Sequence, residues 1–259
     1  MQFWKFHGTG NDFIMINNLN QEYILSQTQI QELCHRHTGI GADGLIELLP
    51  DDTFFLRMRY YNSDGHEGTM CGNGGRAFAA FADMHKVAPA NNFVFSAIDG
   101  QHKALVLSRT ANTWMISVKL NDVKQASTSF NDTGSPHHIE FVENINNVNI
   151  LQQGKAIRHH KQYEPIGGVN VNFLEETKQG LHVRTYERGV EAETLSCGTG
   201  ATASAVAFAV KNDLDSGPVN IDSKGGRLTV DFKRSKNNFY NIWLTAEVTL
   251  VFKGETYDP

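Results

Sequence analysis

The sequence has few cysteines: in 259 residues there are three, Cys34, Cys71 and Cys197. So odd and sparse a set cannot staple a secreted domain of this size, and a reducing cytoplasm is the expected setting. Long apolar runs are also missing. No window approaches the ~18 residues of a membrane span, and the opening MQFWKFHGTGNDF lacks a charged head followed by an apolar core. Nor is there an excess of positive charge, since 23 Lys and Arg against 28 Asp and Glu leave a net charge of −5, with the basic residues scattered. Neither nucleic acid nor a membrane has an electrostatic reason to be a partner. The rest is 40% hydrophobic and 20% charged, an ordinary soluble composition. The length suits one large domain or two of about 125 residues.

Short β-like runs dominate: 54–61, 92–98, 102–108, 112–120, 180–186, 226–233 and 241–252, punctuated by turns such as Asn62-Ser63-Asp64-Gly65 and Asp99-Gly100. Three stretches read as helices: 26–37, 75–87 and 200–213. The last two are Ala-, Val- and Phe-rich with few charges, apolar most of the way round, so each is expected to lie buried among strands.

Those two helices also belong to a repeat. Cys71 and Cys197 stand 126 residues apart, and at that offset YYNSDGHEGTMCGNGGRAFAAFA (60–82) lies over YERGVEAETLSCGTGATASAVAF (186–208). Tyr60 falls on Tyr186, Glu67 on Glu193, Gly72 on Gly198 and Gly74 on Gly200, and a weaker echo sets Thr9-Gly10-Asn11 against Thr133-Gly134-Ser135. Internal duplication predicts an α+β chain of two pseudo-symmetric lobes with a ligand site in the cleft between them.

The run after each cysteine has a chemical use. Glycines let the backbone approach a ligand closely, and a helix start leaves N–H groups unpaired. Those donors and the helix dipole favour an anion, and the same field favours a thiolate. Two such starts facing one small substrate would grip a carboxylate. One thiolate would then remove the α-proton while the opposite thiol returns a proton to the other face. Fixed N–H donors are most useful for the charge that develops on the carboxylate in the transition state. No lysine with a phosphate cup reads as a pyridoxal phosphate site.

Together with GTGNDF (8–13), GIGADG (39–44), YNSDG (61–65), SPH (135–137), GGVNVNF (167–173) and YERG (186–189), the motifs MCGNGGR and ETLSCGTGA resemble the diaminopimelate epimerase family over nearly the whole chain. The resemblance implies two lobes, each a β-barrel-like sheet around a central helix: 1–117 with 251–259 returning to it, and 118–250. It also implies interconversion of LL- and meso-2,6-diaminopimelate without cofactor or metal, on the way to lysine and peptidoglycan, commonly by a homodimer. Cys71 and Cys197 become the acid/base pair. Gly72-Asn73 and Gly198-Thr199 hold the reacting carboxylate, and Asn11, Asn62, Asn170, Glu187 and Arg188 bind substrate. His137 and Glu187 lie where the family tunes a thiol. Arg188 suits a carboxylate and Glu187 an ammonium. Two positions depart from some relatives, which have glutamine at Gly44 and asparagine at Ser135.

Plainer readings compete. One CxxG at a helix start is more often a buried small residue, and it is the second copy that reverses the odds. Asn11 and Asn62 alone would be turn formers and Glu187-Arg188 a surface pair. Cys34-His35-Arg36-His37 is too crowded for zinc and lacks a fourth ligand, so Cys34 reads as a core-facing helix residue. His137-His138 and His159-His160 lack ligand spacing and read as surface groups. Proline and hydroxyproline racemases also carry two cysteines, but their first motif usually reads CGH where this one has Cys71-Gly72-Asn73. A non-catalytic binder, or an isomerase using carboxylates, would not need both thiols.

Overall fold

The structure is a computed structural model and describes residues 1–257. The chain divides into two units: Met1–Val118 together with the chain from Ala246 onward, and Lys119–Thr245. The first unit contains β1 (Gln2–Gly8), β2 (Asn11–Asn17), α1 (Gln27–Cys34), β3 (Gly44–Asp51), β4 (Phe55–Asn62), β5 (Glu67–Gly68), α2 (Gly72–Met84), β6 (Asn92–Ala97), β7 (Gly100–Arg109) and β8 (Thr113–Lys119). The second contains β9 (Phe130–Asp132), β10 (Pro136–Phe141), α3 (Ile150–Arg158), β11 (Asn170–Thr177), β12 (Gly180–Glu187), β13 (Ala192–Thr194), α4 (Gly198–Lys211), β14 (Val219–Ser223), β15 (Gly226–Ser235) and the first part of β16 (Asn238–Glu255). The fold is α+β, and among the described residues no helix is long and apolar enough to cross a membrane.

In the first unit the strands run β1-β2-β3-β4-β6-β7-β8-β16, and the end of β16 pairs back onto β1, closing a barrel of eight. The return was expected from 251, but the unit already takes up the chain at Ala246, because Glu247, Val248 and Thr249 pair with Met115, Trp114 and Thr113 of β8. Inside the barrel lies α2, with eleven of its thirteen residues buried. Its alanines favour helix, and Phe78 and Phe81 pack on Phe95, Trp4 and Phe6 of the wall. On the outer face α1 buries Ile30 and Cys34 against Ile14, Ile16 and Leu45.

The second unit repeats this order as β9-β10-β11-β12-β14-β15-β16. Its crossovers match: β10–β11 and β12–β14 are parallel, as are β2–β3 and β4–β6. Helix α4 packs against β9, β10, β11, β12, β14 and β15, with α3 on the outside against Val171, Phe173 and Tyr186. The eighth position is held by residues 120–126, which meet β16 through Leu120 N–H to Ile242 O at 2.9 Å and a Val123–Phe239 bridge.

Two details of the repeat differ from the reading at constant offset. Helices α2 and α4 begin at the glycine directly after each cysteine, ahead of the expected 75 and 200, because the cysteine itself occupies the N-cap. On the strand before it, Tyr61 faces Glu67 while Tyr186 faces Glu193, so Tyr61, not Tyr60, is the counterpart of Tyr186. The cause is a turn of three residues between β3 and β4 where β11 and β12 are joined by two. A one-residue slip reverses the face of every side chain on the strand.

Candidate active site

In the first unit the Cys71 side chain caps α2, with Sγ accepting from Gly74 N–H at 3.1 Å. Cys71 is part-buried, and Gly72 and Asn73 behind it are buried. Asn73 Nδ2 donates to Asn11 Oδ1 at 3.2 Å, and Asn73 Oδ1 accepts from the Arg76 guanidinium at 2.6 Å. Asn11 Nδ2 in turn donates to Asp43 at 2.7 Å, so the two asparagines named from sequence sit in one chain of hydrogen bonds. Asp12 beside them is ion-paired to Lys5 at 2.7 Å and to Arg36 at 2.8 Å. Burial pushes its carboxyl up, but the hydrogen bonds from Arg36 and Lys5 prevail and hold it well below the usual range.

Asn62 stands at the exposed end of β4, where its Oδ1 accepts from Tyr60 OH at 2.9 Å. Opposite it in register is Gly44. A Cβ at Gly44 would lie 2.5 Å from both the Tyr60 ring and the Tyr61 carbonyl, so a side chain at this position would need Tyr60 to move.

In the second unit Cys197 is the N-cap of α4 without a side-chain capping bond, and its Sγ lies 3.4 Å from Thr199 Oγ1. Thr199 is fixed from behind, its carbonyl accepting from Thr133 Oγ1 at 2.9 Å. Ser135, Asn170 and Arg188 form a cluster: Asn170 Nδ2 donates to Ser135 Oγ at 2.9 Å, and Asn170 Oδ1 accepts from Arg188 N–H at 2.8 Å. The Arg188 guanidinium donates to the carbonyls of Ile166 and Gly168 at 3.3 and 3.2 Å and reaches Ser135 Oγ at 3.5 Å. Glu187, next in chain, is part-buried.

His137 is not a surface group: its exposure is 0%. Asn172 Nδ2 approaches its Nδ1 at 3.0 Å and the His138 carbonyl at 3.1 Å, while Asn172 Oδ1 accepts from Thr185 Oγ1 at 2.9 Å. With both amide hydrogens so placed, Nδ1 accepts and the ring proton belongs on Nε2, which has no protein partner. Burial, with the nearby Arg188 charge, pushes His137 down to about 3, so any action on a thiol comes from a neutral imidazole. A Cβ on Gly200 would come within 2.5 Å of Asn172 Oδ1, which is why the first turn of α4 carries glycine there.

The third cysteine takes no part in either cluster. Cys34 ends α1 at 3% exposure, and burial pushes its thiol up to about 11, whereas His35 and His37 point to solvent. Sequence reading missed Arg76, Thr133, Asn172 and Thr185. Of these only Arg76 had a signal, a basic residue early in an Ala- and Phe-rich helix whose next charge is Asp83.

The family model described as Diaminopimelate epimerase matches residues 3–123 and again 129–251. A diaminopimelate epimerase from Flavobacterium psychrophilum is 43% identical over 259 residues, covering 98% of this chain and 99% of that protein. Another from Chlorobaculum tepidum is 40% identical over 261 residues, covering 95% and 98%. Among solved structures, a phenazine biosynthesis protein of the PhzF family from Bacillus anthracis superposes with a TM-score of 0.76 at 14% identity, covering 99% of this chain and 98% of that one, which is a likeness of fold.

Proposed function

The chain belongs to the diaminopimelate epimerase family and is an isomerase, and on that premise we propose that it interconverts LL- and meso-2,6-diaminopimelate by two-thiol acid/base chemistry without cofactor or metal. The observation that supports this most is the pairing of Cys71 and Cys197, each the N-cap of a buried helix that opens on glycine. In the proposal one cysteine, as thiolate, removes the α-proton. The other, as thiol, protonates the opposite face, and the roles exchange with the direction of reaction. The N–H groups of Gly72-Asn73 and Gly198-Thr199 receive the reacting carboxylate, whose charge grows as the proton leaves. Asn11, Asn62, Asn170, Glu187 and Arg188 read the distal amino-acid end, with Arg188 facing its carboxylate and Glu187 its ammonium. His137 and Glu187 adjust the thiols. The product serves lysine and peptidoglycan synthesis in the cytoplasm, and the working form is a homodimer.

The test is turnover of LL-diaminopimelate and of proline side by side, on the wild type and on the Cys71→Ala and Cys197→Ala variants. Wild type is expected to turn over diaminopimelate alone. Each alanine variant is expected to lose at least about 10³-fold in kcat with its circular dichroism unchanged. Activity on proline alone would overturn the substrate, and a double alanine variant that still epimerises would overturn the chemistry.

A further inference from the structure

Beside Cys197 lies a cavity of about 10 Å³, close to the room that one water molecule needs. Four hydroxyl side chains line it, Thr185, Thr194, Ser196 and Ser223, and apart from Cys197 the rest of its wall is apolar. The hydroxyls are of two kinds. Thr194 Oγ1 and Ser196 Oγ are buried with no hydrogen-bond partner from the protein. Thr185 Oγ1 and Ser223 Oγ already donate, to Asn172 Oδ1 at 2.9 Å and to the Gly226 carbonyl at 2.8 Å, and they keep lone pairs that can accept.

Leaving a buried hydroxyl unbonded is costly, and here two such groups face one small cavity. Two donors and two acceptors are the complement of a water molecule, which can accept from Thr194 and Ser196 and donate to Thr185 and Ser223. An apolar occupant would leave both donors unsatisfied. The first half offers no such place. There Tyr60 faces Gly68 as Thr185 faces Thr194, and Met70 precedes Cys71 as Ser196 precedes Cys197. The Tyr60 ring fills the space, since a Cβ on Gly68 would come 3.1 Å from it, and the Met70 sulfur packs on the first turn of α2, 2.7 Å from where a Cβ on Gly75 would stand.

The cavity sits where the chain enters the helix mouth. Strand β13 ends at Thr194, three residues before Cys197, and between them the Leu195 carbonyl accepts from Gly225 N–H at 2.8 Å. We propose that the cavity holds one internal water, and that Thr194 and Ser196 are positioning residues that act through it to fix the segment leading into Cys197. The water site follows from the cavity and its hydroxyls, while its value to the reaction rests on the two-thiol reading above.

A high-resolution crystal structure of the substrate-free wild type is expected to show one water bonded to both Thr194 and Ser196, and a dry cavity would overturn the proposal. In urea unfolding Thr194→Val, which keeps the shape and drops the hydroxyl, is expected to lower the folding equilibrium constant about fivefold. Thr194→Ser, which keeps the hydroxyl, should stay closer to the wild type. Ser196→Ala should cost less when added to Thr194→Val than by itself, because the shared water is already disturbed. A Thr194→Val protein as stable as the wild type, or a Thr194→Ser protein less stable than Thr194→Val, would show that the hydroxyl has no water to hold. For the cysteine, the substrate-free protein is alkylated with iodoacetamide and both sites are read by peptide mass spectrometry. Thr194→Val is expected to speed Cys197 severalfold relative to Cys71 in the same sample, and an unchanged ratio would overturn the positioning role. None of these readouts involves diaminopimelate, so failure of the substrate reading would leave them as they are.

Discussion

The two helix mouths repeat one backbone with opposite lining. Around the start of α2 stand Phe13, Ile46, Met58 and Tyr60. A Cβ on Gly74 would meet Met58 and Ile46 at 3.1 and 3.4 Å, and the Phe13 and Tyr60 rings meet edge to face at 6.1 Å. The register puts His137, Asn172, Val183 and Thr185 in the same places around the start of α4, three of them joined through the Asn172 amide. The charge is arranged the other way, with a buried guanidinium on α2 and a neutral Thr202 on α4. The first half thus has apolar side chains beside Gly74 and a buried cation bonded to Asn73, and the second has a polar network of His137, Asn172 and Thr185 with the Arg188 charge nearby. A duplicated frame can keep its thiols while its linings diverge, and diverged linings are how two identical side chains can take different protonation states.

The largest expected effect that sharpens this comparison is at Asn172. Asn172→Ala leaves the Thr185 hydroxyl and the His137 ring without their bonds, and urea unfolding is expected to show a loss of roughly 3 kcal/mol. Ile46→Ala at the matching place should also destabilise, through a cavity, but should not change the pH dependence. If both variants showed the same pH profile, the contrast between a polar and an apolar lining would have no energetic content.

Acid stability is the next test. Below the ordinary histidine value of 6.5 the unfolded chain takes up a proton that the folded chain refuses until about 3. Stability is therefore lost as pH falls through that window, by about 1.4 kcal/mol per pH unit, or roughly 2 kcal/mol by pH 5. His137→Phe, which installs the side chain of the first half, is expected to flatten the slope above pH 4. The Asp12 contribution is present above its unfolded value of 3.8 and is lost only below it, since its carboxyl is held below the usual range in the fold. Hydrogen exchange at pH 5 should accordingly find the second unit opening before the first, and the reverse order would contradict the assignment.

A smaller effect is expected at Gly44, whose counterpart across the repeat is Asn170. Gly44→Ala forces Tyr60 aside, at a cost of about 1 to 2 kcal/mol by thermal unfolding. In a Tyr60→Ala background part of the cost should remain, because the Tyr61 carbonyl stands as close as the ring, and its complete disappearance would place all the crowding at Tyr60.

The duplication was legible because glycine after cysteine recurs at one spacing, and because Ala-rich helices without charge have to be buried. Even the weak Thr-Gly echo falls on matching turns, between β1 and β2 and between β9 and β10. Register was not legible, since a single extra turn residue between β3 and β4 carries Tyr60 to the other face. Strands β3 and β11 escaped notice because each is buried along most of its length, which removes the alternation that marks a half-exposed strand. Helix α3 is short and interrupted by Gly154, so its period is faint. His137 reads as half of a surface pair because nothing in the sequence shows that Asn172, 35 residues on, will pair with its ring. Arg76 draws no reading, because nothing in the sequence shows how the barrel closes around it.

The central claim is that one thiol takes the proton and a different thiol gives one back. It is tested most directly by following wild-type turnover of LL-diaminopimelate in deuterated water at low conversion. Two-thiol inversion predicts deuterium at the inverted α-carbon of the meso product, with the remaining LL substrate unlabelled. Label entering the remaining substrate as fast as the product would mean that a single base serves both faces, and would contradict it.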